Sequence, residues 1–295
     1  VVPRVLSLLK ELNLTITVFI VGQDAALAKN QMALRAVAEA GHEIGNHSFH
    51  HEPWLHLYSE QRVEDELARA EEHIERATGQ RPRGFRGPGF SLSLATLRVL
   101  ARRGYLYDAS TFPTFLGPLA RAYYFMTAKL SVEERRQRQA LFGTLGEGLR
   151  PINPYLWQLE TGGLIEIPVT TMPFFRVPIH MSYLIYLAVF SPAIAKLYFQ
   201  IAFKTCLLTG TQLSLLLHPL DFLGCDDTRD LSFFPGMRLN SSQKLEIVAE
   251  VLNLLSSNFT VLTIEQHASE AIKGANLRKI KPRFSLDQVA LVSSR

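Results

Sequence analysis

Cysteine is scarce in this chain: Cys206 and Cys225 are the only two. They make neither a disulfide framework nor a Cys-x-x-Cys metal site and read as free thiols, consistent with a reducing compartment. No charge of either sign dominates, since a net charge of +4 and a pI near 9.1 are only mildly basic. The basic runs Arg102-Arg103 and Arg135-Arg136 are short, so no nucleic-acid partner is expected. Aspartate is missing from residues 1–23, where Glu11 is the only acid, and the first aspartate is Asp24. The chain opens on Val1 rather than methionine, and no signal peptide is visible in it. Charge is also missing from Val177 to Ala195, a run that just reaches the length of a membrane span. Pro192 breaks that run, and His180, Ser182 and Ser191 dilute it. Beyond the proline, Lys196, Gln200 and Lys204 recur every fourth position opposite Leu197, Phe199, Ile201 and Phe203. Such a helix is either buried with one polar edge or lies in a lipid interface.

Hydrophobic residues make up 47% of the chain and charged residues 20%, ample material for a globular core. Thr15 to Val21 is a continuous apolar, β-branched run, as expected of a strand buried on both faces. Met32 to Ala40 is helical and closed by Gly41. Ser59 caps a helix whose stripe is Val63, Leu67, Ala70, Ile74 and Ala77, stopping at Gly79. Ser93 to Arg103 forms the next helix, and later strands are expected at Leu164–Val169, Leu213–His218 and Phe259–Thr263. Asn240 opens a helix with Gln243 three places on, the capping-box pattern. Strands alternating with helices predict a parallel sheet, open or closed into a barrel. Residues 111–160, punctuated by proline and glycine around a short helix at Ser131 to Leu141, are expected to form a loop-rich excursion.

The segment from Gly41 to His51 carries most of the chemistry. It holds four of the nine histidines, and His47 and His51 are four positions apart. That spacing predicts two imidazoles on one side of a helical turn, able to share a cation, at a corner following the strand end Glu43-Ile44-Gly45-Asn46. A solvated histidine-rich turn is the alternative.

This segment resembles the second motif of the polysaccharide deacetylases, the nodulation-type carbohydrate esterases. Their third motif is matched by Arg86-Gly87-Pro88-Gly89-Phe90, their fourth strand by Gly104 to Ser110, and their late histidine strand by Leu215-Leu216-Leu217-His218-Pro219. Leu6 to Gly22 resembles the family's first helix and second strand. The resemblance implies an irregular (β/α) barrel spanning 1–272, lacking the first strand with its paired aspartates, followed by a basic tail at 273–295. It implies a hydrolase that removes an N-acyl group, acetyl first, from an amino sugar in a glycan or lipid-linked saccharide. The implied cofactor is a divalent metal, zinc first with iron, nickel or cobalt as alternatives, held by His47 and His51. Arg86 would brace the catalytic base, His218 would protonate the leaving amine, and Asp108 would support His218 or the substrate. The tryptophan that the family places near that aspartate is absent, the residues here being Ala109-Ser110-Thr111. On the resemblance, the base and third ligand would lie in the missing strand, so these residues alone are expected to be almost inactive. Asp226-Asp227 is the only Asp-Asp pair and a weak substitute; Asp221 and His50 are second-tier candidates, and His42 is structural. An inactive glycan-binding protein of the same fold is the rival reading, and a redox iron enzyme a third without a supporting motif. A cytoplasmic or peripheral membrane location is favoured.

Overall fold

A computed structural model describes residues 1–116, 148–160, 162–274 and 276–284. In chain order its elements begin with α1 (Val2–Glu11), β1 (Thr17–Ile20), α2 (Gly22–Ala26), α3 (Gln31–Glu39), β2 (Glu43–Asn46) and α4 (Glu60–Thr78). Next come β3 (Gly84–Phe85), α5 (Leu94–Arg102), β4 (Tyr107–Asp108), β5 (Tyr155–Leu159) and β6 (Gly162–Glu166). The last are α6 (Met181–Phe190), α7 (Pro192–Thr209), α8 (Ser241–Ser256), α9 (Ile264–Lys273) and β7 (Arg278–Ile280). Two compact units result, one of Ile16–Pro168 with Thr263–Arg295 and one of Val1–Thr15 with Val169–Leu262.

The first unit holds the whole seven-stranded sheet, ordered β1-β2-β3-β4-β6-β5-β7. Every pairing is parallel except β5 with β6. The register aligns Ile20, Asn46, Phe85, Asp108 and Glu166 in one row across the carboxyl ends of five neighbouring strands. Carboxyl ends of parallel strands are where α/β folds assemble sites, and here the row fixes where each following residue emerges. Beneath it Phe85, Leu97, Leu100, Tyr155, Trp157 and Leu164 form a closed core with Val63 and Leu67 of α4.

Local signals account for α4. The Ser59 hydroxyl accepts from the Arg62 N–H, and the helix ends where Gly79 takes φ of +75°, open to glycine without strain. Its stripe Val63, Leu67, Ala70, Ile74 and Ala77 is buried as predicted. Gly22 lets α2 approach α4 closely, because a Cβ there would sit 2.7 Å from the Ala70 Cα. Arg103, just past α5, donates to both Glu71 carboxylate oxygens of α4 at 2.8 and 2.6 Å and also reaches Glu64.

Two expectations need correction here, and a third is not tested. Residues 155–159, placed in a loop-rich excursion, form β5, the strand next to the β7 edge of the sheet. The predicted helix at Ser131–Leu141 lies outside the described residues. The basic stretch after Lys273 is not all tail, since β7 pairs in parallel with β5.

In the second unit, the Asn240–Gln243 capping box opens α8 as expected, although its buried face includes Lys244 in place of Leu245. The Lys244 ammonium is satisfied by the Leu220 carbonyl at 2.9 Å. The expected strand Leu213–His218 is reduced to a single bridge between His180 and Leu216, and Phe259–Thr263 forms no strand. Apolar β-branched character permits a strand, but a paired neighbour is what makes one. Asp226 and Asp227 are occupied structurally: Asp226 caps Ser241, and Asp227 binds the Arg4 guanidinium through both oxygens at 2.7 and 2.8 Å. Cys206 is buried and Cys225 exposed, and both are free.

Candidate active site

His47 is the first residue past the carboxyl-end row on β2, and its N–H extends the ladder to the Ile20 carbonyl at 2.9 Å. The 47–51 segment is not a helical turn. Ser48 and His51 adopt φ of +62° and +58°, and these two left-handed residues fold the chain so that the His47 and His51 rings meet edge-on, 4.8 Å between centroids. The predicted convergence holds although the conformation differs. Neighbours fix the loop: the Asn46 amide oxygen accepts the Ser48 N–H at 2.9 Å, and the Ser48 hydroxyl accepts the His51 N–H at 3.1 Å. From α4, buried Glu66 accepts the Phe49 and His50 N–H groups at 3.1 and 3.0 Å and pairs with the His50 ring. His50 is therefore a clamp of the loop, and His42 is buried and accepts the Ile16 N–H, a structural role as expected.

The His47 Nδ1–H donates to the Arg86 carbonyl at 2.6 Å. This sets the tautomer in which Nε2 is the basic nitrogen, the arrangement metal-ligating histidines show when a carbonyl holds their other N–H. Burial lowers the His51 pKa against the opposing pull of Asp24 and Glu52, which favours the neutral ring a cation requires. Two neutral imidazoles facing one another fit as two ligands of a divalent ion. Among the described residues no third histidine, cysteine or acid completes a cluster with them.

Arg86 is buried rather than sitting on a loop surface. Its Nε–H donates to the Ala109 carbonyl at 3.0 Å, and its guanidinium lies 4.5 Å from the Phe19 ring centroid. Desolvation pulls its pKa down to about 10, opposed by the neighbouring Tyr107, Asp108, Glu166 and Glu43, so it remains a cation near neutrality.

Asp108 stands in the same row, completely buried, with Oδ1 accepting from the Ser110 hydroxyl and Oδ2 meeting no partner among the described residues. Burial and the adjacent Glu166 hold its carboxyl well above the usual carboxylate range. Glu166 accepts from the Thr111 N–H and hydroxyl at 2.9 and 2.7 Å and from the Trp157 indole at 2.8 Å. A carboxylate with three donors beside an acid with an unmet oxygen is a pair in which Asp108 keeps the proton.

His218 belongs to the other unit, where it caps the short turn Pro219–Phe222 instead of ending a strand. The Asp221 Oδ2 accepts the His218 N–H at 2.7 Å, and the Ser182 hydroxyl donates to Asp221 Oδ1 at 2.7 Å. With its one proton committed, the Ser182 oxygen accepts from His218 Nδ1–H at 3.1 Å. His180 lies 5.9 Å from the His218 ring, and burial together with His218 drives its pKa down to about 3.

Glu66, Glu166 and Ser182 carry no sequence signal of their own. Glu66 and Glu166 read as ordinary acids, and Ser182 lies within the uncharged run. Asp221 had one available signal, a carboxylate three residues after a histidine at a proline turn.

Residues 1–107 match the polysaccharide deacetylase family model. A peptidoglycan deacetylase of Helicobacter pylori is 34% identical over 109 residues, 37% of this chain and 36% of that protein. A peptidoglycan-N-acetylmuramic acid deacetylase of Bacillus subtilis is 35% identical over 105 residues, 35% of this chain and 38% of that protein. The chain thus spans little more than a third of the curated relatives it matches. A solved structure from Mycobacterium smegmatis, assigned as a polysaccharide deacetylase, superposes with TM-score 0.63 and 22% identity, covering 96% of this chain and 81% of that one. Another so assigned, from Pseudomonas aeruginosa, gives 0.56 and 20%, covering 91% and 71%. These likenesses establish the deacetylase (β/α) fold.

Proposed function

We propose that this chain, whose residues 1–107 match the polysaccharide deacetylase family model, belongs to that family and hydrolyses the amide of an N-acylated amino sugar. The group removed is acetyl first, and the substrate is a glycan or a lipid-linked saccharide. The observation that carries this reading is the His47 Nδ1–H donated to the Arg86 carbonyl, which ties the second family motif to the third and leaves Nε2 as the basic nitrogen of a ring that meets His51 edge-on. A divalent cation, zinc first with iron, nickel or cobalt as alternatives, would supply Lewis acidity and lower the pKa of a water. His47 and His51 would hold it. Arg86, a buried cation on a fixed carbonyl, would orient the base by charge-assisted hydrogen bonding. Asp108 would act as a positioning residue, a protonated neighbour that leaves the Arg86 charge less than fully neutralised. His218 would deliver a proton to the leaving amine from Nε2, with Ser182 and Asp221 keeping Nδ1–H in place.

Release of free amine from N-acetylated oligosaccharides, with metal content by elemental analysis, tests the reading. Turnover and bound metal that both vanish in His47→Ala, His51→Ala support it. Oligosaccharide binding without amine release at any metal loading would replace it with the inactive glycan-binding alternative.

A further inference from the structure

Within the second unit, α7 presents two apolar faces. Ala195, Phe199, Ala202, Phe203 and Cys206 are buried, at spacings that make one stripe. Half a turn away Ile194, Leu197, Ile201 and Leu208 form a second stripe open to solvent, with Leu197 57% and Leu208 87% exposed. The preceding helix α6 repeats the pattern, burying Met181, Leu184, Ile185 and Ala188 while Tyr183, Tyr186 and Phe190 are exposed. A core helix needs one apolar face, so the outer stripes have no purpose inside this unit. No helix among the described residues is long and apolar enough to cross a membrane.

A turn in the same unit exposes further apolar side chains. Thr171 and Pro178 pair in an antiparallel bridge, and the chain between them turns back with Phe174 and Arg176 at φ of +69° and +56°. Phe174 is 78% and Phe175 70% exposed, two adjacent rings at a tip followed at once by a cation. Nothing acidic appears from Val177 to Leu220, and Lys196 and Lys204 flank the outer stripe of α7. Lys196 is engaged by Glu250, which leaves Lys204 as the exposed cation of that edge. Apolar side chains for acyl chains, tyrosines with polar tips for the headgroup level, and the exposed Lys204 in a stretch of chain with no acid of its own together describe one partner.

We propose that the outer faces of α6 and α7, with the Phe174–Phe175 turn, form a docking surface for an anionic lipid bilayer. The proposal deepens the lipid-linked branch of the proposed function, but attachment is measured apart from catalysis. Flotation of the full chain with phosphatidylcholine vesicles, with and without phosphatidylglycerol, tests it. Binding should be about tenfold stronger with the anionic lipid at low salt and weaken at physiological salt. Two independent variants, Phe174→Ser with Phe175→Ser and Leu197→Gln with Ile201→Gln, should each weaken binding by about tenfold or more, with unchanged circular dichroism. Lys204→Glu should lose mainly the salt-sensitive part, and Met32→Ser, which removes a side chain 85% exposed in the other unit, should change nothing. Failure of the unaltered chain to float with anionic vesicles overturns the proposal, as does binding by both double variants as strong as the unaltered chain's. Self-association that these substitutions abolish, without vesicle binding, overturns it in favour of a second copy. Amide hydrolysis of a soluble oligosaccharide is read separately, so loss of one activity leaves the other interpretable.

Discussion

His47 and His218 are held by differently built supports. His47 continues a parallel strand whose neighbours on both sides fix its register, and its ring is locked by a carbonyl at the end of the next strand. Buried charges surround that position, among them Arg86, Asp108 and Glu166. His218 leans on a single proline turn, where Asp221 three residues on and one serine from α6 hold it. The sheet-borne histidine gains its orientation from pairing across the molecule, the turn-borne one from a cap. Substitutions near the first should disturb both stability and chemistry, whereas those near the second should change chemistry with little cost in stability.

The largest effect is expected from the histidine pair itself. His47→Ala with His51→Ala should abolish metal retention and, in the full-length protein, reduce amide hydrolysis by at least about a thousandfold, because the proposed metal would carry the water activation. Thermal unfolding should move little, and a collapse of the fold would mean that the loop is structural. Next, Arg103→Met should destabilise the sheet-bearing unit by about 2–4 kcal/mol in denaturant titration, because buried Glu71 then keeps only the longer ion pair with Arg81 at 3.7 Å. Less than about 1 kcal/mol would place that pair with ordinary surface bridges.

At His218, Asp221→Asn and Ser182→Ala should each lower kcat about ten- to a hundredfold with KM nearly unchanged. A loss confined to KM would assign these residues to substrate binding. The smallest effect concerns Asp108. Its folded pKa lies above the unfolded value, so its contribution to stability is full at acid pH and is lost as pH rises through the folded value. Asp108→Asn, which keeps the shape without the titration, should flatten the decline in stability as pH rises above the ordinary carboxylate range, so that the variant loses less between acid pH and pH 8 than the parent does. A variant less stable than the parent at pH 8 would show that the acid is ionised and stabilising.

How far the chain could be read depended on whether the determining contacts were local. The α4 helix was legible to within a residue because Ser59, its apolar stripe and Gly79 all lie inside it. The convergence of His47 and His51 was legible from spacing and motif, though not its conformation, since the two left-handed residues are imposed by Asn46 and by Glu66 from a separate helix. Strands fared worse. Tyr155–Leu159 lies among prolines and glycines yet pairs on both sides, while Leu213–Leu217 has strand composition and finds only one bridge. The acid pair of Asp108 and Glu166 was invisible because it exists only through a register between strands far apart in sequence.

That register also bears on the order in which the protein can form. Strand β5 has β6 on one side within a few residues, but its other side is met by β7, with Tyr155 opposite Arg278. Between them the chain must pass through all of Val169–Leu262, a unit with contacts of its own. During synthesis the sheet would stand with an open edge until the last part of the chain emerges, and closing so long a loop is slow compared with helix formation. An unpaired edge carrying Tyr155 and Trp157 is a template for intermolecular pairing. Removing residues after Lys273 should therefore show first as aggregation of newly made protein, visible in its soluble fraction at elevated temperature.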